Sequence, residues 1–375
     1  MSVRNNPARV LHVIDSLHLG GAQEVVMNLA TCGDRARFVH EVATLHGRGV
    51  YWDRIASLGV KLHSLSPHKL VPWYVPRLTA LLATGKFDIL HCHLIASNIV
   101  AKPLGALCRV PVIINHDHTN DSFRARQRAR LALDTLSNRF ASHIITVSES
   151  CRRFLLTREG IPEQKITLVQ NAIDLRRYSP ECGDRKSARR SLGLPPGVPV
   201  VAGVGRLNPQ KNFSLFIEIA ALVLRAVPGA HFVLAGEGPE EQGLRRLAHE
   251  AGLDDHITFT GYVADTRQVY LATDVLVMPS LFEGLPMTLL EAMAMRMPVV
   301  ASKLDGIAEV ITDRQDGFLV PDLDAPLFAE RITRLLEDPA LARTTGESAA
   351  RTVAARFSVG RMTSQVEDIY EKFLP

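Results

Sequence analysis

Two glutamates in the stretch LFEGLPMTLLEAMA, residues 281–294, have a spacing that suggests ligand binding. Within one helix, Glu283 and Glu291 would lie about 12 Å apart along the axis, which is too far to share a proton or a metal ion. Pro286 between them suits the first position of a helix, because its missing N–H costs nothing there. We therefore expect Glu283 in a loop, Glu291 in the second turn of the helix, and an anion site at the helix N-terminus between them.

Arg206 and Lys211 in the stretch GVGRLNPQKN form a second candidate group, directly after an apolar, strand-like run. A guanidinium and an ammonium five residues apart across a strand-to-helix turn can point at one anionic group. Isolated charges of this kind are usually solvated surface residues. Their place at the carboxyl end of a strand favours an anion-binding role instead.

Gly20 and Gly21 in the stretch HLGGAQ occupy the matching turn near the N-terminus. Glycine in such a turn lets backbone N–H groups approach a phosphate or a sugar closely, and the helix that follows adds its dipole. A plain tight turn is the alternative, since the full G-x-G-x-x-G fingerprint is absent.

His116 ends the strand-like run VPVIINH and is followed by Asp117 and His118. Consecutive residues at a strand end point in different directions, and no second cluster of ligand residues is evident, so we expect no metal ion here. We expect the imidazole of His116 to hydrogen-bond a bound substrate. The alternative is a histidine whose hydrogen bonds are satisfied within its own domain.

These residues must be positioned by a scaffold. The apolar pattern predicts a set of strands alternating with helices in each half of the chain. The strand-like runs are RVLHVID, HEVATL, VKLHSL, FDILHCH, VPVIINH, HIITVS and ITLVQN, then VPVVAGVG, HFVLAGEG, HITFTGYV, DVLVMPS, PVVASKL and GFLVP. Alternation of this kind implies parallel sheets covered on both faces. We predict an α/β protein of two doubly wound, Rossmann-like domains, with a ligand in the cleft between them at the carboxyl ends of the strands.

The polar stretch DLRRYSPECGDRKSARRSLGLPPGVP, rich in Pro and Gly, separates the two halves. It predicts an interdomain linker that ends near residue 197. We therefore place an N-terminal domain at residues 1–180 and a C-terminal domain at residues 198–357. The last stretch, SVGRMTSQVEDIYEKFL, has an amphipathic helical pattern.

Composition excludes several classes of protein. The chain has 375 residues and 46% hydrophobic residues, which indicates a globular protein rather than a disordered one. Its five cysteines form no C-x-x-C pair, which favours a reducing compartment without structural zinc. We expect no signal peptide and no membrane-spanning segment, and hence a cytoplasmic location.

Charge is uneven, because residues 1–185 hold 24 Lys and Arg against 15 Asp and Glu. Part of the excess lies in SFRARQRARLALDTLSNRF, which contains Arg124, Arg126, Arg128, Arg130 and Arg139 among apolar residues that include Leu133 and Leu136. One interpretation is a solvated helix face whose apolar side packs on its own core. The other is a surface for anionic lipid or a phosphate-bearing acceptor. No recognised module accompanies the arginines, so we expect no nucleic-acid partner.

Four motifs, LGGAQ, INH, GVGRLNPQKN and FEGLPMTLLEA, occur in an order that resembles the GT-B glycosyltransferases of family 4. That family is retaining and uses nucleotide-sugar donors. The resemblance covers nearly the whole chain and includes VQNAID and the C-terminal helix. It implies the GT-B fold, with the acceptor on the N-terminal domain, the donor on the C-terminal domain, and residues 358–375 returning to the N-terminal domain.

The resemblance also implies roles for the candidate residues of the C-terminal domain. Arg206 and Lys211 would bind the donor diphosphate in place of a divalent metal, so that no metal or cofactor is required. Glu291 would accept hydrogen bonds from the ribose hydroxyls. The transferred sugar and the phosphate would be held by Glu283 and the backbone at Gly284, Leu285 and Pro286, and the nucleobase would face the backbone near Val263.

In the N-terminal domain, the resemblance implies that Gly20 and Gly21 meet the phosphate from the other side. His116 would contact the sugar near the reacting carbon. The family varies between Glu and Gln in the loop after the paired glycines. Here Gln23 is followed by Glu24, and the sequence leaves open which of them, if either, faces the acceptor.

The expected reaction is retaining transfer of a hexose to a glycan, lipid-linked or small-molecule acceptor. We favour front-face attack in which the leaving phosphate takes the acceptor's proton, with Glu283 as a covalent nucleophile as the alternative. Rival functions are a sugar-nucleotide epimerase on the same fold and a non-catalytic nucleotide-sugar sensor. We further expect reversible docking on the inner face of an anionic membrane, where a lipid-linked or surface-polysaccharide precursor would be glycosylated.

Overall fold

The computed structural model describes residues 6–18, 20–67, 73–118 and 128–375, with the backbone alone for residues 128–131. The chain divides into two units. The first comprises Met1–Ala172 together with Val359–Pro375, and the second comprises Ile173–Ser358. Each unit contains one parallel sheet, so the predicted α/β class with two Rossmann-like domains is confirmed.

Seven parallel strands form the sheet of the first unit. They are β1 (Ala8–Ile14), β2 (Phe38–Thr44), β3 (Lys61–Ser64), β4 (Ile89–His93), β5 (Val112–Asp117), β6 (His143–Thr146) and β7 (Ile166–Leu168). Their order across the sheet is β3-β2-β1-β4-β5-β6-β7. The order therefore reverses between β1 and β4, and ligands of doubly wound sheets commonly bind at such a point.

The helices that follow these strands begin where the chain turns back over the sheet. They are α1 (Gly21–Cys32), α2 (Tyr51–Ser57), α3 (Tyr74–Gly85), α4 (Ile95–Leu107), α5 (Arg128–Ser137) and α6 (Glu149–Thr157). Leu11 of β1 and Leu90 of β4 belong to a hydrophobic core that also includes Leu78 of α3 and Ala101 of α4.

Side chains alternate between the two faces of the first sheet. His12 follows Leu11 on β1 and therefore points to the opposite face. His91 on β4 is in register with His12. It follows Leu90 and therefore also faces away from the core formed with α3 and α4. One face of this sheet is thus apolar at β1 and β4, and the other carries histidines.

Six parallel strands form the sheet of the second unit. They are β8 (Val200–Val204), β9 (His231–Ala235), β10 (Ile257–Gly261), β11 (Val275–Met278), β12 (Val299–Ser302) and β13 (Phe318–Val320). Their order is β10-β9-β8-β11-β12-β13, with the reversal between β8 and β11. Each of the thirteen strands overlaps one of the runs predicted from the apolar pattern.

Eight helices of the second unit lie before, between or after these strands. They are α7 (Arg185–Ser191), α8 (Phe213–Ala226), α9 (Glu241–Glu250), α10 (Arg267–Ala272), α11 (Met287–Ala294), α12 (Asp305–Ala308), α13 (Ala325–Glu337) and α14 (Pro339–Arg356). Phe216 of α8, Phe232 of β9 and Phe328 of α13 are fully buried in the core of this unit. None of the helices in the described part of the chain combines the length and the apolar composition that crossing a lipid bilayer requires.

The C-terminal helix, α15 (Val359–Phe373), packs on the first unit as expected. Tyr370 is fully buried, and its hydroxyl lies 2.5 Å from Nδ1 of His91. The carboxylate of Glu367 accepts a hydrogen bond of 2.7 Å from the backbone N–H of Asp34, which follows α1. These contacts fix α15 on the histidine-bearing face of the sheet.

The stretch predicted as a linker is folded onto the second unit, which begins at Ile173 rather than near residue 198. Asp184 caps α7 by accepting a hydrogen bond from the N–H of Ser187. Arg189 on α7 is 8% exposed, and its guanidinium donates to the carbonyl of Ala272 and to Asp274. The stretch is therefore part of a folded unit, anchored by the buried Arg189, although most of its other charged side chains are exposed.

A buried ion pair attaches α5 to α4. The ammonium of Lys102 is fully buried and donates to Oδ1 of Asp134 at 2.9 Å and to Oδ1 of Asn138 at 2.6 Å. Removing one partner of such a pair leaves the other charge in the interior without compensation.

We expect Lys102→Ala to lower the free energy of unfolding of the first unit by about 3–5 kcal/mol, because Asp134 stays buried without its cation. Both tryptophans of the chain, Trp52 and Trp73, belong to the first unit, so their fluorescence during urea unfolding reports on it alone. The control is Lys61→Ala, since Lys61 is 66% exposed and its pairing contributes at most about 1 kcal/mol. Equal losses in the two variants would contradict the role of the buried pair.

Candidate functional site

The loop after β8 carries Arg206 at the start and Lys211 near the end. Gly205 has φ 149° and Gly236, at the end of β9, has φ 144°. A Cβ on Gly236 would lie 1.9 Å from the carbonyl oxygen of Gly205, so only glycine allows the two loops to pass this closely. Arg206 is exposed and has no ion pair among the described residues.

Lys211 forms an ion pair with Glu283, which lies in the loop after β11. The two charged atoms, Nζ and Oε1, are 2.6 Å apart, and the side chains are 15% and 6% exposed. Because β8 and β11 are neighbours at the reversal of strand order, residues 72 positions apart meet at this edge of the sheet. The structure therefore brings together the predicted phosphate and sugar ligands.

The carboxylate of Glu283 is held by two further side chains. Ser280 donates to Oε1 at 2.8 Å, and the amide of Gln210 donates to Oε2 at 3.3 Å. Since two carboxylate oxygens offer about four acceptor positions, these contacts and Lys211 leave about one position open. Neither Ser280 nor Gln210 was predicted, although both lie within four residues of a predicted site residue.

The helix N-terminus between the two glutamates begins one residue later than predicted. Pro286 precedes α11 with an extended backbone, φ −73° and ψ 129°, and the helix starts at Met287. Proline restricts φ but leaves ψ free, so both positions are compatible with its ring. Pro286 has no N–H, so a backbone hydrogen bond to an anion at this point would come from its neighbours. Met287 and Thr288 supply the first N–H groups of the helix.

Thr288 adds an unpredicted polar group to this helix N-terminus. Its hydroxyl is buried and has no hydrogen-bond partner among the described residues. A buried hydroxyl without a partner is unfavourable, and a bound anion would supply an acceptor. Gly306 at the start of α12 was also missed, and a Cβ there would lie 1.5 Å from the carbonyl oxygen of Gly284.

Glu291 lies in the second turn of α11, as predicted, and is 4% exposed. Its Oε2 accepts hydrogen bonds from Tyr270 at 2.6 Å and Thr266 at 3.1 Å. Burial raises the pKa of Glu291, and these hydrogen bonds oppose the increase. Val263 follows the edge strand β10 and is partly exposed, two strands away from β8.

In the first unit, Gly20 precedes α1 and Gly21 begins it, with no side-chain cap on the helix. The N-terminus of α1 is therefore open to an anion. The amide of Gln23 donates to the carbonyl of Ser16 at 3.2 Å. Gln23 and Glu24 are 8% and 5% exposed, so neither presents a largely exposed side chain to an acceptor.

His116 is 1% exposed, and neither of its ring nitrogens has a hydrogen-bond partner among the described residues. Burial lowers its pKa well below the usual range, so the ring is neutral near pH 7. The alternative of a histidine satisfied within its domain is therefore wrong. His118 comes after the end of β5 and is partly exposed, and its Nε2 lies 3.1 Å from Nδ1 of His93.

The sequence argument that no further ligand residues accompany His116 is also wrong. Histidines from β1 and β4 lie on the same face of the sheet, and ring nitrogens of His93, His116 and His118 come within 4.8 Å of one another. The available signal was the repeated His-x-His pattern at residues 91–93 and 116–118. In extended backbone this pattern places two histidines on the same side of the chain.

The basic helix is described only in part, since Arg124 and Arg126 lie outside the described residues. Arg128 and Arg130 belong to α5, of which the backbone alone is described there. Leu133 and Leu136 on the same helix are each 52% exposed. The interpretation that its apolar residues all pack on the protein's own core is therefore wrong at these two positions.

Two family models match this chain, Glycosyltransferase Family 4 over residues 19–177 and Glycosyl transferases group 1 over residues 184–352. The D-inositol 3-phosphate glycosyltransferase of Salinispora arenicola is 30% identical over 321 residues, which cover 79% of this chain and 71% of that protein. The chain belongs to the GT-B glycosyltransferases of family 4.

Two further proteins are similar to this glycosyltransferase. The UDP-Gal:alpha-D-GlcNAc-diphosphoundecaprenol alpha-1,3-galactosyltransferase of Escherichia coli is 25% identical over 301 residues, which cover 78% of this chain and 77% of that protein. The crystal structure of Anabaena Alr3699/HepE in complex with UDP and glucose has a TM-score of 0.87 and 23% identity, and the match covers 97% of this chain and 100% of that one. The second similarity shows that the fold is shared.

The two glutamates of this glycosyltransferase differ in the groups that contact their carboxylates. Glu283 balances Lys211, whereas Glu291 is held by neutral hydroxyls. We expect Glu291→Gln to weaken nucleoside diphosphate binding by about tenfold, since hydrogen bonds to a charged acceptor are stronger than those to a neutral one. Glu283→Gln leaves Lys211 without its anion, so affinity for the same ligands is kept or raised while turnover of a full donor falls.

Isothermal calorimetry with a panel of nucleoside diphosphates measures both affinities. The control is Glu240→Gln, which removes a carboxylate that has no ion pair among the described residues. Equal losses of nucleoside diphosphate affinity in the Glu283 and Glu291 variants would contradict this division of roles.

Proposed function

We propose that this glycosyltransferase moves a hexose from a nucleotide sugar, with a UDP-sugar as the first candidate, to an acceptor and retains the anomeric configuration. The Escherichia coli relative has a UDP-sugar in its name, and the Anabaena structure contains UDP and glucose. The arrangement of the second unit supports the same donor class, because cationic groups and an open helix N-terminus follow neighbouring strands.

The observation that carries this proposal is the Lys211–Glu283 ion pair, with the exposed Arg206 in the same loop as Lys211. A departing diphosphate needs positive charge that is already in place, because reorienting solvent during the reaction is costly. The ammonium of Lys211 has three donors, so it can keep Glu283 and still donate to a phosphate oxygen. Arg206 has no competing anion and adds a second charge.

The contacts of Glu283 favour front-face transfer over a covalent intermediate. A nucleophilic carboxylate needs a free lone pair aimed at the anomeric carbon. Here Lys211 and Ser280 donate to Oε1, and Gln210 donates to Oε2. These donors withdraw charge from both oxygens, which lowers the nucleophilicity of the carboxylate, and leave about one position that can accept a hydrogen bond from a sugar hydroxyl. The leaving phosphate then takes the proton of the acceptor.

We expect Arg206→Ala and Lys211→Ala each to lower the transfer rate by about a hundredfold or more, because each removes charge aimed at the leaving group. The control is Arg225→Ala, since Arg225 is also exposed but lies in the last turn of α8. Transfer is measured with the nucleotide sugar that gives the largest thermal shift in a screen. Near-normal rates in both site variants would contradict the diphosphate role.

Transfer should also continue when EDTA is added to the native enzyme during the assay, because Arg206 and Lys211 replace a divalent cation at the diphosphate. Loss of transfer that added Mg²⁺ or Mn²⁺ restores would contradict this part of the proposal. Product analysis without an acceptor tests the rival functions. An epimerised sugar nucleotide in this assay indicates an epimerase. Nucleotide-sugar binding without transfer to any acceptor in separate acceptor trials indicates a sensor.

We further propose that the acceptor is lipid-linked and that the enzyme docks on the inner face of an anionic membrane. Leu133 and Leu136 are three residues apart, so they share one face of α5, and both are half exposed. Arginines precede them on the same helix and in the segment before it. Exposed apolar side chains beside cationic ones are typical of interfacial helices. The acceptor named for the Escherichia coli relative is a diphosphoundecaprenol lipid.

We expect salt-sensitive binding to vesicles that contain anionic lipid, since each basic residue near such a surface adds about 1 kcal/mol of attraction. Co-sedimentation compares wild type with the Arg124, Arg126, Arg128, Arg130→Gln variant and with the Leu133, Leu136→Ser variant. Both variants should bind less. The matched control has the same change of charge at surface arginines elsewhere, Arg225, Arg343, Arg351 and Arg361→Gln.

Vesicle binding that is absent, or that changes equally in the control variant, would contradict the docking surface. A water-soluble glycan or small molecule would then be the better acceptor class. The donor-site variants are unaffected by this outcome, because they are assayed without membranes.

A further inference from the structure

Six histidines of the first unit form a layer on one face of its sheet. They are His12, His40, His91, His93, His116 and His118. Neighbouring rings in this layer have centroids between 4.3 and 5.4 Å apart. Most residues of a sheet face beneath a helix are apolar, so this concentration of imidazoles inside a domain requires an explanation.

Three of these histidines have ring nitrogens that converge. Nδ1 of His12 lies 3.1 Å from Nε2 of His93, and one nitrogen from each of His12, His91 and His93 comes within 4.8 Å of the others. Two nitrogens bound to one tetrahedral Zn²⁺ at about 2.0–2.1 Å are about 3.3 Å apart. The spacing of His12 and His93 is close to that value, and His91 completes a group of three.

Hydrogen bonding among the imidazoles leaves part of this group unexplained. His12, His40, His93 and His118 can form a chain of N–H to N bonds. Nε2 of His91 is excluded from it, because this atom is buried without a hydrogen-bond partner among the described residues. A buried, unpaired nitrogen costs about 1–3 kcal/mol, and a ligand at that position would remove the penalty.

The outer nitrogen of each converging histidine is held by another side chain. Nε2 of His12 lies 2.9 Å from Nδ1 of His40, and Nδ1 of His93 lies 3.1 Å from Nε2 of His118. Nδ1 of His91 faces the hydroxyl of Tyr370 on α15. Metal-binding histidines almost always donate their second N–H to a fixed acceptor, which sets the tautomer and the ring orientation.

We propose that Nδ1 of His12, Nε2 of His91 and Nε2 of His93 bind one divalent cation of the Zn²⁺ type. Imidazole ligands suit this class of ion. The fourth position would be taken by water or another small ligand. The ion would join β1 to β4 and, through Tyr370, would fix the C-terminal helix on the first unit.

The three proposed ligands belong to the first unit, whereas Arg206, Lys211 and Glu283 belong to the second. The neighbouring group of His93, His116 and His118 is a weaker candidate for the ion. Neither ring nitrogen of His116 has a partner among the described residues, so no hydrogen bond there sets the tautomer of that ring.

The test uses the full chain carrying a tag without histidines, purified from cells grown with added Zn²⁺. Mass spectrometry of the elements should find about one equivalent of Zn²⁺ per chain. The protein is then unfolded in chelator and refolded with and without Zn²⁺. We expect Zn²⁺ to raise the melting temperature by about 5 °C. Trace zinc together with an unchanged melting temperature would overturn the proposal.

Variants separate this site from general binding of metal to histidine. His91→Gln should lose the bound Zn²⁺, whereas His143→Gln should retain it, since His143 is equally buried in the first unit but hydrogen-bonds to Thr167. Tyr370→Phe keeps all the ligands and removes only the partner of His91, so affinity should fall by about 10–100-fold. Equal zinc content and affinity in all three variants would overturn the assignment even if the wild type contains the metal.

Discussion

Parallel strands place their carboxyl ends at one edge of a sheet, and a reversal of strand order opens a space between two loops at that edge. In each unit of this glycosyltransferase the order reverses once, between β1 and β4 and between β8 and β11. The loops after β8 and β11 carry Lys211 and Glu283, which meet although 72 positions separate them in the sequence. The order of the strands therefore brings the two loops together, and the side chains of the candidate donor site meet as a result.

Charge at this site is shared and not simply positive. Lys211 is neutralised by Glu283, and Glu283 is held by Ser280 and Gln210, so the pair forms a fixed polar group. Fixed groups stabilise developing charge better than solvent does, because they need no reorganisation. Arg206, in the same loop as Lys211, is exposed. One cation is thus positioned by the protein, and a second can respond to a ligand.

The first unit uses its sheet differently. Leu11 and Leu90 point into an apolar core, while His12 and His91 on the same strands point into the layer beneath α15. A polar layer inside a domain is favourable only when its nitrogens have partners. This requirement connects the first strands of the unit to the C-terminal helix, which reaches them from the other end of the chain.

The sequence was sufficient for the class of fold and for every strand in the described part of the chain, because apolar runs of strand length alternate with stretches of helical pattern. The sequence was also sufficient to recognise the four motifs on which the family resemblance depends, since each is a short contiguous segment. Other features depended on tertiary structure. The Lys211–Glu283 contact, the approach of Gly306 to Gly284 and the histidine layer join segments far apart in the chain. Spacing along a sequence does not give distances across a sheet.

The start of α11 at Met287 was missed because proline restricts φ but not ψ. The folded linker was missed because a polar stretch looks the same whether its arginines face water or, like Arg189, buried carbonyls.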